Sequence, residues 1–253
     1  MIYGLYLSAS GVLASSYRQD VIANNLANSE TVGFKKDLAL LQERSPASQE
    51  RNAGPNASDP LLDRIGGGLF TSPTAVDTTQ GSLEATGTTL DLAIEGNGFF
   101  SLDTHNGQRL TRNGQFQLDR TGNLVAANDW GDRVLDPEGK PIRLDPSVQA
   151  EISPDGSITQ AGKVVGRVGM YDVPSPQRLV KDGQSMLTYP DMKALTAGSG
   201  TMRSGYIERS NVDPTTELTG LMEAERQLEA NTNMIRYQDA TLSALVNSVG
   251  KIS

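Results

Sequence analysis

Leu221, Leu228, Ile235, Leu242 and Val249 recur every seven residues near the C-terminus, and Ala224, Asn231, Gln238, Leu245 and Ile252 follow each of them by three. A heptad pattern sustained this long predicts a helix that packs along other helices rather than on a sheet. Its second line is polar in the middle, which weakens a two-stranded dimer and favours mixed or higher-order contacts. Asp213-Pro214 supplies an N-cap and a first-turn proline, and Glu217 falls near the positive helix end. From Pro214 to Gly250 such a helix extends about 55 Å.

At the other end of the chain Ile2, Leu5, Ala9, Val12, Ile22 and Leu26 fall on or near one helical stripe. No charged side chain occurs before Arg18, and Asp20 and Glu30 are the only others through Phe34. A helix with one face in water normally carries more charge than this. Small uncharged side chains instead permit close contact on several sides. Neither helix is secure alone in water, so both ends are expected to be mobile in the free monomer and ordered on docking.

The middle follows a different rule. Ser45 to Pro60 has no Val, Ile, Leu, Met or aromatic residue and three prolines, the composition of a linker. From about Gly81 to Ile207 short strand patterns alternate with turn dipeptides: Asn97-Gly98, Asn106-Gly107, Asn113-Gly114, Asp155-Gly156 and Asp182-Gly183. Leu90, Leu92 and Ile94 alternate with Asp91, Ala93 and Glu95, predicting a half-buried strand. Further strands are predicted around Phe99–Leu102, Gln115–Leu118, Leu124–Ala126, Ile142–Leu144 and Val164–Val173, making an antiparallel β-domain. The fold class is therefore α+β. The expected parts are a helical assembly domain from 1–34 and 213–253, an extended arm at 35–80 and a β-rich domain at 81–212.

Composition narrows the function. Hydrophobic residues make up 37% of the 253, aromatics 5%, and 26 are glycine, which is poor material for one well-filled catalytic core. A net charge of −8 argues against nucleic-acid binding, and Lys35-Lys36 reads as a solvated helix end or loop. With no cysteine, disulfides and thiolate chemistry are excluded. No apolar run is long enough for a transmembrane segment. The N-terminus lacks the basic start and apolar core of a cleaved secretory signal.

Candidate chemistry is thin. His105, the only histidine, sits at a predicted hairpin tip, and no Gly-x-Ser-x-Gly elbow accompanies it. Asp91 and Glu95 could form a glycosidase pair only if they faced a cleft. Gly96-Asn97-Gly98 has Ser101 where a dinucleotide fingerprint needs its third glycine. Ser153–Ser157 lacks the acidic series of a calcium loop. Gly66-Gly67-Gly68 has no following Lys-Ser/Thr pair, and the Asn56-Ala57-Ser58 sequon reads as a chance match. No metal, no cofactor and no enzymatic activity are expected.

Several blocks carry a family resemblance. They are Asp20–Asn28 with Thr31, Gly33, Phe34 and Lys35; Leu90–Phe100; Thr111-Arg112-Asn113-Gly114; and Ile207–Asp213 leading into Met222–Asn231. In this order they resemble the bacterial flagellar rod and hook family, most closely the rod proteins of the basal body. Val165–Val168 through Pro176–Val180 lies nearer to the proximal than the distal rod type, whereas Asn24–Asn28 is shared by both. The resemblance implies a structural subunit of a hollow helical rod, located in the basal body and exported by the flagellar type III apparatus without a cleaved signal. It further implies terminal helices paired as a coiled-coil-like inner domain with a β-rich domain outside. Partners would be copies of itself and other rod and hook proteins. Together the two readings select Ile2, Leu5, Val12, Ile22, Asn24, Asn25, Leu26, Asn28, Gly33, Phe34, Leu221, Leu228, Ile235, Leu242 and Val249 as assembly-interface residues. The rival readings are a cell-wall carbohydrate-binding β-domain, for which Trp130 is the sole tryptophan, and a soluble coiled-coil adaptor.

Overall fold

The computed structural model describes residues 2–43, 68–128, 130–183 and 185–249; the linker composition at 45–60, the sequon and the first two glycines of the triplet lie outside them. The architecture is α+β, with one long helix near each end and a β-rich middle. Contacts divide the chain into two compact units, one from 1–26, 38–74 and 214–253, the other from 27–37 and 75–213.

The first unit holds α1 (Ile2–Ala27) and α2 (Pro214–Val249), together with a two-stranded sheet of Asp37–Glu43 and Leu69–Val76. Its α1 is uncapped by charge at either end. At α2 the sequence signals coincide with the structure: the helix starts at Pro214, directly after Asp213, with Glu217 in its first turn. At 1.5 Å per residue α2 runs roughly 54 Å. The Tyr17 hydroxyl donates to the Ser72 carbonyl at 2.7 Å, tying the Leu69–Val76 strand to α1.

The second unit is built on a nine-stranded sheet centred on Phe99–Thr104, which pairs with Gly107–Thr111, Arg133–Val134 and Met170–Asp172. Every pairing in the unit is antiparallel. Leu92, Ile94, Phe100, Leu102, Leu124 and Ile158 anchor one apolar cluster, and Leu110, Leu179 and Leu187 a second. The ring of Phe100 meets that of Phe116 edge-on at 5.2 Å.

Three expectations change here. Leu92, Ala93 and Ile94 are all fully buried, so the alternation does not mark a water-facing side; the strand is covered on both faces. Ile142–Leu144 forms no ladder, only isolated bridges through Pro141 and Arg143, because the segment divides its hydrogen bonds between two neighbours: the Ile142 N–H donates to Val134 while its carbonyl accepts from Leu124. Val164–Val173 breaks into Lys163–Arg167 and Met170–Asp172 around Gly169, where a Cβ would lie 2.8 Å from the Leu135 carbonyl oxygen.

A seventeen-residue repeat organises the segment from Gln115 to Val165. Turns begin at Asp119, Asp136 and Ser153, preceded by Leu118, Leu135 and Ile152 and closed three residues on by Gly122, Gly139 and Gly156. In each turn the glycine N–H donates to the first residue's carbonyl, at 3.1, 3.0 and 2.9 Å. Each first residue in turn donates its N–H to the carbonyl four positions later. All three glycines have φ near +80°, the left-handed geometry that closes this turn.

Candidate assembly interface

The first unit is joined along a helix–helix seam. Along α2 Leu221, Ala224, Leu228, Asn231, Ile235, Gln238 and Leu242 are half-buried or buried in alternating steps of three and four, and Glu217, Gly220 and Thr232 are covered beside that line. The α1 positions that meet them are small. A Cβ on Gly4 would lie 2.9 Å from the Gln238 amide, and one on Gly11 2.8 Å from that of Asn231. Further along, Arg18 reaches Glu223 at 3.9 Å, and the Asn25 amide donates to the Glu217 carboxylate at 3.4 Å. Seven residues forward on α1 correspond to seven backward on α2, so the helices run antiparallel side by side. Ser8, between the two glycines, and Ser15, four residues beyond Gly11, extend this line of small residues and are buried. Polar Asn231 and Gln238, which weaken an apolar seam, thus sit where glycine lets the helix backbones approach.

Among the predicted interface residues, Leu5, Val12 and Leu26 are half-buried, Ile22 and Asn25 are buried, and Asn24 is exposed. The side chains of Ile2 and Val249 lie outside those described. Large apolar side chains remain on the water-facing sides of both helices: Leu13 on α1, and Leu218, Met222, Met234, Tyr237 and Val246 on α2. The paired strands add Leu38, Leu40, Leu41, Leu69 and Phe70.

Asn28, Gly33 and Phe34 belong to the second unit, where they lead into a buried ionic knot. Thr31 donates its hydroxyl and its N–H to Asn28, making the turn after α1. Gly33 has φ +68°, and a Cβ there would lie 2.2 Å from the backbone N of Asn113. Its N–H donates to the Glu208 carbonyl at 2.8 Å. Phe34 is buried beneath the Lys181 ammonium, 3.5 Å from the ring centroid, and Lys181 is paired with Asp37 at 2.8 Å.

Lys35 overturns the solvated reading: it is 2% exposed, and its ammonium donates to Glu208 at 2.6 Å and to the Thr79 carbonyl at 2.7 Å. Burial lowers its pKa despite the attraction of Glu208. On the other side of Glu208, which is fully buried, Arg112 donates at 2.8 Å while reaching the carbonyls of Ile94 and Gly96. The Gly81 N–H also donates to Glu208, at 2.9 Å. Neither Arg112 nor Glu208 was singled out for this role from sequence, although both lie inside the blocks that carry the resemblance. Those blocks converge on one carboxylate.

The carboxylate and glycine candidates are engaged locally. Glu95 is exposed and paired with Arg203 at 2.8 Å, on the strand that follows the buried Asp91. Gly96 supplies a carbonyl to Arg112, and a Cβ on Gly98 would lie 2.8 Å from the Met170 side chain, so this glycine pair serves local packing. Among the described residues no group of three His, Asp or Glu side chains could hold a metal ion, and no helix is long and apolar enough to cross a membrane.

Comparison with known proteins gives the family. Residues 5–35 match the model of the flagella basal body rod protein family, 93–164 that of the flagellar hook protein FlgE/F/G D1 domain, and 203–248 that of the flagellar basal body rod FlgEFG protein C-terminal. The flagellar basal-body rod protein FlgG of Bacillus subtilis is 35% identical over 270 residues, covering 98% of this chain and 99% of its own. The chain belongs to the flagellar basal-body rod protein family. FlgF rod proteins of Mesorhizobium japonicum and Caulobacter vibrioides are 30% and 31% identical over 256 and 252 residues, each covering 98% of both chains. Laid on the rod protein fold, the first matched segment is α1 with its following turn as far as Lys35. The second holds the central strands and all three seventeen-residue turns. The third begins just before Glu208 and runs through α2. Each segment ends or begins beside the ionic knot.

Proposed function

We propose that this rod protein is an axial building block: its helices pair in a coiled-coil-like manner and pack with those of neighbouring copies into the inner wall of a helical tube. One observation carries the reading. The two helices meet through small residues and a half-buried heptad line, yet leave Leu13, Met222, Met234, Tyr237 and Val246 exposed. Such a density of exposed apolar side chains marks a surface that other chains cover. Helical tubes need heterologous contacts, and a helix pair with apolar residues on several sides supplies more than one. Torque then passes through many subunit contacts, and the role is structural rather than enzymatic.

Within the family the proximal, FlgF kind fits best. The FlgF relatives align over 256 and 252 residues, whereas the B. subtilis FlgG requires 270, so fewer insertions separate this 253-residue chain from FlgF. Export through the flagellar type III apparatus and residence in the periplasmic part of the basal body follow from the same reading. The test is deletion of the gene in its host, with basal bodies examined by electron microscopy. Truncated or missing rods, restored by the intact gene, are expected; complete rods and normal motility in the deletion strain would end the proposal.

A further inference from the structure

The second unit carries two unmatched surface features that complement each other. One is a cleft of about 250 Å³ among the turn tips at one end of the large sheet, walled by Trp130 and His105. Trp130 is 67% exposed, with its ring 5.3 Å from that of His105. Beside it the Asn128 side chain accepts from the Gly131 N–H and donates to Asp132, both at 2.8 Å. The His105 turn is fixed by the Thr104 hydroxyl, which donates to the Gly107 carbonyl at 2.7 Å. Asp132 and Asp182 line the cleft against a single arginine, Arg109, which is paired with Asp182. A pre-set aromatic wall beside an ion pair is the composition of an interface hot spot.

The other feature is the strand Lys163–Arg167, the edge of a three-stranded sheet. Val164 is 70% exposed and Val165 45%. Exposed apolar edges are aggregation hazards unless they are covered or guarded. This one is flanked by two cations, Lys163 and Arg167, and contains no acid. Its inner side is paired with Ser157–Gln160, and its outer side faces no strand among the described residues.

We infer that the Lys163–Arg167 edge of one copy seats on the Trp130–His105 cleft of the next, a heterologous contact between β-rich units in addition to the helical packing. Valine side chains fill the aromatic wall, and Lys163 and Arg167 meet the acidic excess of the cleft. The two features differ in shape and in charge sign, as a contact that repeats along a helix without closing requires. This inference rests on the rod-subunit reading.

The chain has no cysteine, so single replacements report without background. Cells would co-express His105→Cys and Val164→Cys chains, and their basal bodies would be oxidised. A cross-linked dimer is expected from the mixture and from neither variant alone. Complete rods without that dimer, or equal dimers from one variant alone, overturn this contact and leave the rod assignment standing. Absence of the parent chain from rods removes both. Should either cysteine variant fail to assemble, Val164→Asp with Val165→Asp serves instead. Its monomer should keep the parent circular-dichroism spectrum while incorporation falls by about tenfold or more; unchanged incorporation overturns the contact.

Discussion

Glu208 faces two cations, and all three side chains are almost wholly excluded from solvent. Replacing it by Gln keeps the shape and removes the anion to which both Lys35 and Arg112 donate. Breaking a buried pair in this way costs about 3–5 kcal/mol, so Glu208→Gln should lower the urea midpoint of the β-rich unit by that equivalent. A midpoint within error of the parent would show that water enters the knot. Lys35 adds a pH dependence. Its folded pKa lies below the ordinary 10.5, so in the window ending at that value the unfolded chain binds more protons than the folded one. Stability contributed at this residue therefore rises with pH across that window. The difference in midpoint between the parent and Lys35→Met should shift in favour of the parent as pH increases there; a shift in the opposite direction contradicts the burial. Gly33→Ala gives a separate check, because a methyl group at φ +68° would collide with backbone at Asn113. A loss of at least about 1–3 kcal/mol is expected from the strained conformation alone; a neutral change would mean that the turn relaxes freely. None of this was legible from local sequence. Lys35 reads as solvated because its partner Glu208 is 173 positions away, and only the fold brings them together. Asn113-Gly114 misleads in a related way: Gly114 is needed not for positive φ but because a Cβ would lie 1.6 Å from the Leu92 carbonyl oxygen.

At the level of elements, legibility follows the length of the periodic signal. Over 36 residues of α2 the heptad line had many turns in which to declare itself, and its positions from Leu221 to Leu242 are covered, whereas Leu245 on the second line is exposed. The strands are two to eight residues long, so one close-packed glycine or one change of partner suffices to split or cancel them, as at Gly169 and Ile142. The seventeen-residue repeat was readable, since Asp119, Asp136 and Ser153 are evenly spaced, but two of its glycines follow Thr121 and Glu138, so a search for Asn-Gly and Asp-Gly pairs meets only Asp155-Gly156. On α1 the apolar stripe drew attention away from the Gly4–Ser8–Gly11–Ser15 line that meets α2. Two variants separate the two lines. Leu228→Asp or Ile235→Asp places a carboxylate in the half-buried seam, where an unpaired charge is costly. Rod incorporation and swarming should be lost while the circular dichroism of the β-rich unit persists. Gly11→Leu should have the same effect by steric means, because even a Cβ there would press on the Asn231 amide. Normal rods from either variant would show that this helix pairing does not survive in the assembled state.

For the whole molecule, the two units differ in how they are held. Buried in the β-rich unit are two apolar clusters and a charged knot joining residues 35, 112 and 208, so its backbone should open only with the unit as a whole. In the helical unit the seam is mostly half-buried, part of it is polar, and much apolar surface faces water. Long helices with so little buried area on one side draw little stability from propensity alone. Amide hydrogen exchange on the dilute monomer should therefore be fast over residues 2–27 and 214–249 and slow across 92–208. In assembled rods the same helical segments should become protected, because neighbouring copies cover the faces that carry Leu13, Met222 and Tyr237. Slow exchange of both helices in the monomer would point instead to a preformed helical core, as a soluble adaptor would have. Fast exchange over 92–208 would mean that the knot closes only on assembly, and would move the ordering step from the helices to the β-rich unit.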